Sequence, residues 1–253
     1  MHRNERRTIV KKLMVTALFA ALFAVPVLAA EEKPTEWNFD KDSLGQMPTG
    51  WKAGFTNSAK GQATWTVTKD DKAPTAPNVV TLDAKSGGGT FNLAIAERTS
   101  FKDVDLSVKI KAHSGKEDQG GGLIWRTKDD NNYYICRMNP LENNFRVYKV
   151  TGGKRRQLDS ADVKLETGKW YEVRAKMVGS HILCYIDGKQ LLNATDDAIK
   201  DAGVVGLWTK ADASLSFDNI AVKPGEVSKD DQAAAKPTDT EKKKPEKDDD
   251  DDD

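Results

Sequence analysis

The 253-residue sequence predicts an all-β chain built as an antiparallel sandwich or barrel. Three observations predict it. Apolar and polar residues alternate with a period of two in window after window, with almost none of the 3.6-residue spacing of an amphipathic helix. The windows are short, and turn residues such as Gly87-Gly88-Gly89, Gly179-Ser180 and Asp187-Gly188 separate them. No unit of roughly 20 to 50 residues repeats, which argues against a propeller or solenoid.

The chain opens on a processing segment. Arg3, Arg6, Arg7, Lys11 and Lys12 form a basic stretch, Leu13–Leu28 is apolar, and Val27-Leu28-Ala29 offers small cleavage positions. This is the pattern of a secretory signal peptide over residues 1–29, too short for a membrane span of about 20 apolar residues. The mature chain is expected to begin at Ala30 or Glu31 and to be secreted or periplasmic, with no membrane contact after cleavage.

Residues 30–224 form the predicted single domain. The whole chain carries 39 basic and 39 acidic residues. Removing residues 1–29, with five basic and one acidic, leaves 34 against 38. The segment 225–253 holds six basic and twelve acidic residues, so the body is close to neutral at about +2. That balance argues against a nucleic-acid partner. Residues 225–253 lack aromatics and end in six aspartates; with so little apolar area to bury, they read as a disordered tail.

Alternating windows follow in order: Thr64–Val67, Asn78–Leu82, Phe91–Ala96, Val104–Ala112, Trp170–Val178, His181–Ile186, Val204–Thr209 and Leu215–Val222. In Val104–His113, Val104, Leu106, Val108, Ile110 and Ala112 share one face, and Asp105, Ser107, Lys109, Lys111 and His113 the other. That suits a strand with one wet face. Gly120–Leu158 reads as a four-strand meander: Leu123–Thr127, Tyr133–Met138, Phe145–Val150 and Arg155–Leu158. Splitting it by face puts Leu123, Trp125, Tyr134, Cys136, Met138, Phe145 and Val147 toward a core. The opposite face gathers Arg126, Tyr133, Arg137, Arg146 and Tyr148, the candidate ligand-binding residues.

Recognisable chemistry is otherwise sparse. There is no nucleophilic Ser or Cys motif, no Gly-rich phosphate loop and no His/Cys metal spacing. Glycosidases need two carboxyls about 5–10 Å apart. Glu97, Asp103, Asp105, Glu142, Glu172 and Asp212 are available, but no pair stands out. Glu172 reads as a surface ion-pair partner. Cys136 and Cys184 both fall on core-facing positions, where a disulfide and two buried thiols are both open.

Several stretches in order carry a family resemblance. They are Trp37-Asn38-Phe39 with Gly45 and Pro48-Thr49-Gly50-Trp51, Phe101–Leu106, Gly121–Arg126, Asn132-Tyr133-Tyr134 and Gly168–Tyr171. Tyr185–Gly188, Gly203–Trp208 and Phe217–Ile220 complete the set. The body resembles concanavalin-A-like jelly rolls of the laminin-G-like type, in the 3-keto-disaccharide hydrolase or family 16 glycoside hydrolase-like group. The resemblance implies a two-sheet antiparallel jelly-roll sandwich with a ligand groove on its concave sheet. It also implies a structural calcium near the joined chain ends, where Asp40 and Asp218 are the matching acidic positions. The true family 16 run E-x-D-x-x-E is absent. The group's alternative chemistry, elimination from a 3-keto sugar, needs one base, for which His181, His113 and Glu97 are candidates.

Three functions follow: an exported module recognising an oligo- or polysaccharide through the Arg/Tyr face, a 3-keto-glycoside-cleaving enzyme, or a non-catalytic protein-interaction module. No cofactor beyond calcium is expected, and the protein is expected to be a monomer.

Overall fold

A computed structural model describes residues 34–57 and 63–227; the expected signal peptide and most of the predicted tail lie outside the described residues. Fifteen strands and no helix occupy the described chain. They form two antiparallel sheets, confirming the predicted sandwich.

The first sheet runs β13 (Lys189–Thr195), β12 (His181–Ile186), β11 (Trp170–Val178), β6 (Val104–Ser114), β15 (Ser214–Pro224), β4 (Asn78–Asp83) and β3 (Thr64–Lys69). The short β1 (Thr35–Trp37) pairs alongside β15, beginning with Thr35 opposite Val222. The second sheet runs β10 (Lys154–Asp162), β9 (Asn144–Thr151), β8 (Asn132–Asn139), β7 (Gly121–Asp129), β14 (Val204–Lys210), β5 (Phe91–Ala96) and β2 (Trp51–Thr56). Consecutive strands β7 to β10 form the meander expected from the sequence.

The strand phases read from the sequence carry the core. Val104, Leu106, Val108, Ile110 and Ala112 of β6 are buried while their neighbours stay half-exposed. Leu123, Trp125, Tyr134, Cys136, Met138, Phe145 and Val147 face them from the second sheet in one cluster. The Trp125 and Tyr134 rings stack at 5.7 Å, and Trp125 Nε1 donates to Met177 Sδ at 3.1 Å across the sandwich. On the wet face of the first sheet, cross-strand charges pair, as with Lys109 and Glu172 at 3.1 Å. Glu172 is therefore the surface ion-pair partner expected.

The second sheet departs from simple inside–outside alternation. Its outward residues Phe91, Leu93, Ile95, Ile124, Tyr133, Ile135, Val150 and Trp208 form a second buried cluster. They are dry because the sheet curls over its own outer face. Asn57, just past β2 at one edge, donates to Gly153 O at 3.0 Å in the β9–β10 turn near the other. Gly153 N donates to Asn131 O at 3.0 Å, and Phe55 N donates to Asp130 Oδ2 at 3.2 Å. Gly152 and Gly153 both take positive φ in that turn, a conformation glycine adopts without a Cβ penalty.

Trp125→Ala is expected to lower unfolding free energy by about 3–5 kcal/mol, the cost of deleting a buried aromatic. Urea denaturation checks this; a loss near that of a surface substitution would contradict the packing described.

Candidate functional site

The outer face of the second sheet ends in a polar cluster beyond its apolar part. Arg137 on β8 organises it. Its side chain is 2% exposed. Nη1 donates to Asn144 Oδ1 at 3.0 Å, and Nη2 donates to Glu142 Oε2 at 2.9 Å and Tyr148 Oη at 3.1 Å. Nε is buried with no hydrogen-bond partner among the described residues. The β8–β9 register places Arg146 directly opposite Arg137, and Arg146 stays partly exposed, with Nε donating to Ser160 Oγ at 3.2 Å.

Asp118 enters from the loop before β7. It is 1% exposed. Its Oδ1 accepts from Gly120 N and from Asn139 Nδ2, the latter at 3.1 Å. A Cβ on Gly120 would meet Asp118 Oδ1 at 2.6 Å, Arg137 Cδ at 3.2 Å and Asn139 Nδ2 at 3.6 Å, so a bare glycine lets these groups converge. Arg155 of edge strand β10 reaches over from the far side. Its guanidinium carbon lies 4.6 Å from the Tyr148 ring centre, 5.1 Å from Phe91 and 5.9 Å from Trp208.

Electrostatics divide the two carboxyls. Burial pushes the Asp118 pKa up, and Glu142 adds to this against the opposing charge of Arg137. Burial also penalises ionised Glu142, but the Arg137 guanidinium and the Asn144 hydrogen bond outweigh it and hold its pKa down at about 2. Burial opposes the charge on Arg137, yet Tyr148, Asp118 and Glu142 together keep it firmly protonated.

Of the five candidate ligand residues, Arg137, Arg146 and Tyr148 come together here. Tyr133 shares the face but is fully buried, with its Oη 2.6 Å from Thr56 Oγ1, beneath the curled edge. Arg126 does not join them, and its expected place on this face is corrected. Strand phase holds through Trp125 and then breaks: Arg126 has φ 47°, and the β7–β8 register shifts between Trp125 and Asp129. This β-bulge re-aims the side chain. Arg126 donates to Lys102 O at 2.6 Å, Ile199 O at 2.8 Å and Gly179 O at 2.6 Å, and pairs with Asp103 at 3.3 Å. It ties together loops at one end of the sandwich.

The weak base candidates lie elsewhere. His181 opens β12 of the first sheet, with Nε2 2.7 Å from Asn193 Oδ1. His113 sits on β6 of the same sheet, 2.7 Å from Ser216 Oγ. Glu97 is exposed in the turn after β5. Sequence reading missed Asp118, Asn139, Asn144 and Arg155 as site residues. Asp118 lies in a loop with no period to phase it. Arg155 could have been found by extending period two past the Gly152-Gly153 turn.

Cys136 and Cys184 are buried free thiols approaching from opposite sheets. Burial, then the neighbouring Cys184 thiol, pushes the Cys136 pKa well up. Asp218 is buried where β15 breaks register. It accepts from Thr75 N at 2.8 Å and Asn219 N at 2.7 Å, while Asp40 accepts from Asn78 N at 3.2 Å. Burial first, then the charges of Asp40 and Asp70, push Asp218 up to about 6.

A family model described as the 3-keto-alpha-glucoside-1,2-lyase-like domain matches residues 26–223. The chain belongs to that family. A curated relative, an extracellular exo-alpha-L-arabinofuranosidase of Streptomyces chartreusis, is 31% identical over 176 residues, covering 57% of this chain. The match spans only 21% of that relative's length. Among solved structures, the carbohydrate-binding module CBM66 from Bacillus subtilis superposes with a TM-score of 0.55 at 21% identity, covering 69% of this chain and 96% of the module. Domain 4 of AbnA, an extracellular arabinanase from Geobacillus stearothermophilus in complex with arabinotriose, superposes with a TM-score of 0.53 at 12% identity, covering 78% and 96%. These likenesses place the family member in a sandwich fold shared with such modules.

Three outcomes test this geometry. Arg126→Ala should destabilise the fold by about 2 kcal/mol or more, because the buried Ile199 carbonyl loses its donor and three loop segments lose their shared tie; chemical denaturation reads it, and a change under about 0.5 kcal/mol would place Arg126 at the surface. Thiol titration of denatured, unreduced protein should count two. Asp218 has a folded pKa above its unfolded value of about 4, so the folded state binds more protons between about pH 4 and 6. Its contribution to stability therefore falls as pH rises through that window. Measured in EDTA, Asp218→Asn should flatten that part of a stability–pH profile.

Proposed function

We propose that this protein is an exported carbohydrate-recognising module that takes an oligo- or polysaccharide against the outer face of its second sheet. Arg137, Arg146 and Tyr148 are the contact residues, with Tyr133 supporting the face from beneath. One observation carries the reading: the guanidinium of Arg137 is fixed by Asn144, Glu142 and Tyr148 while its buried Nε keeps an unused donor. A buried donor without a partner costs about 1–3 kcal/mol, and a ligand hydroxyl would relieve that cost. Sugar hydroxyls both donate and accept, and the partly exposed Arg146 guanidinium offers them fork donors. The arabinotriose complex of a like-folded module and the extracellular relative support a sugar ligand and an exported setting.

A second reading, cleavage of a 3-keto-glycoside, is favoured by the family's lyase-like description. The polar cluster is also where this reading locates its chemistry.

We also propose that Asp40 and Asp218 hold a structural calcium, with backbone carbonyls completing the six to eight oxygens it takes. The fit rests on charge: Asp218 is buried with Asp40 and Asp70 close enough to resist its ionisation, and a cation would favour the charged form. Among the described residues no group of three or more His, Cys, Asp or Glu side chains could hold a metal, so carbonyls must supply most of the shell.

A glycan array is expected to return binding to a limited set of saccharides. Titration of the best one should weaken at least tenfold in an Arg146→Ala/Tyr148→Phe variant with a near-native melting temperature. Unchanged affinity in that variant would sink the proposed face, and no binding to any saccharide would point to a protein-interaction role. For calcium, EDTA should lower the melting temperature at pH 7 and have less effect near pH 5. An unchanged melting curve at pH 7 would count against it.

A further inference from the structure

The β8–β9 pairing sets two like charges against each other. Arg137 and Arg146 stand directly opposite on one face of the sheet. Such pairs repel and weaken a sheet unless something lies between them. Glu142 is the carboxylate that answers both: its Oε2 lies 2.9 Å from Arg137 Nη2 and 3.8 Å from Arg146 Nη1. The two approaches are unequal. The first is a hydrogen-bonded pair, and the second is too long to be one. Glu142 is therefore committed to Arg137, and Arg146 is left short of an anion.

No second anion close by makes up the difference. Asp118 is buried, and burial makes it reluctant to ionise. Lys210, at the end of β14, brings a further positive charge toward the same end of the sheet. Asp162 stands opposite Asn144 on edge strand β10, and among the described residues it makes no ion pair with Arg137, Arg146 or Lys210. Arg146 also has donors to spare. Its side chain is 29% exposed. Nε is bonded to Ser160 Oγ at 3.2 Å, which anchors the guanidinium, while Nη1 and Nη2 have no hydrogen-bond partner among the described residues. Those two nitrogens form a planar fork that fits a carboxylate with two parallel bonds.

The turn that carries Glu142 also holds out Leu141, one of three large apolar side chains exposed among the described residues. The turn is fixed in that position. Asn139 Oδ1 accepts from Leu141 N at 3.0 Å, and Asn143 accepts from Val163 N at 2.9 Å through its carbonyl and from Leu165 N at 3.1 Å through Oδ1.

We propose that the saccharide taken at this face is acidic, a uronic-acid oligosaccharide whose carboxylate docks on the Arg146 fork. The inference rests on the proposed sugar site and names its ligand class. The ligand carboxylate supplies the anion that the opposed arginines lack. Glu142 keeps Arg137 occupied, so the incoming group meets Arg146. Leu141 gives the C–H side of the sugar ring an apolar contact. Attraction at a partly exposed site is screened by salt, with a Debye length of about 10 Å at 0.1 M and about 3 Å at 1 M. Affinity for the acidic ligand should therefore fall as salt is added.

The test compares oligosaccharides of galacturonic, glucuronic and guluronic acid with their methyl esters, which keep the ring and lose the charge, by calorimetric titration at pH 7. At least one acid should bind tenfold or more tightly than its ester, and 1 M NaCl should remove most of that advantage. Arg146→Gln should erase the preference with a near-native melting temperature. Arg146→Lys, a cation without the fork, should recover only part of it. Leu141→Ala should weaken acid and ester alike. Esters or neutral saccharides that bind as well as the acids overturn this inference and leave the saccharide reading standing; that comparison needs only the native protein. A preference for acid that survives Arg146→Gln also overturns it. Polyglutamate binding as tightly as any acidic sugar would show a general anion site and overturn the uronate assignment. If no saccharide binds at all, the saccharide reading fails and this inference with it.

Discussion

The second sheet has two dry faces, and the rest of the molecule depends on that constraint. One face makes the sandwich core with the first sheet, as any antiparallel sandwich requires. The other is dry because the sheet bends until the β2 edge touches the β7–β8 and β9–β10 turns. Outward residues such as Ile124, Ile135 and Trp208 can therefore be apolar without being exposed. The polar residues left on this face are pressed to one end, where water is also excluded. There Arg137 and Asp118 lose hydration, and Asn144, Glu142 and Tyr148 bond the one while Gly120 N and Asn139 bond the other.

Low hydration explains why so few groups carry so much electrostatic character. Arg137 attracts Glu142 and Asp118 alike, but Glu142 sits at the rim with two direct bonds from its neighbours, and Asp118 sits deeper. The same cation thus leaves one carboxyl strongly acidic and the other reluctant to ionise. Near-identical chemistry, separated by depth and hydrogen bonding, yields opposite ionisation tendencies. A carbohydrate-binding module and a lyase-like domain can share such a sandwich, since the fold supplies the face and a handful of side chains supply the chemistry.

Most of the fold was legible in the sequence because period-two alternation maps directly onto strands. The bounds of β5, β11 and β12 coincide with the windows read from alternation, and every core residue assigned in the meander points inward. The site was legible only in part. Arg137, Arg146 and Tyr148 lie where strand phase puts them, but Arg126 follows a bulge that no alternation announces. Tyr133 keeps its phase yet is covered, because the curl of a sheet arises from contacts between residues far apart in sequence, such as Thr56 and Tyr133. Asp118 was invisible for a related reason: a loop carboxylate acquires meaning only from the strand it folds against.

The clasp between Asn57, Asn131 and Gly153 has a consequence for how the molecule behaves in company. A sandwich normally ends each sheet in a strand whose free amides can recruit a strand from another chain. Here the amide of Phe55 on edge strand β2 is taken by Asp130, and Asn57 just beyond it is bound to Gly153 O. The sheet thereby caps part of its own border with its own turns. That margin offers a poor template for intermolecular strand addition, so the sheet's curvature also guards the protein against self-association through this edge.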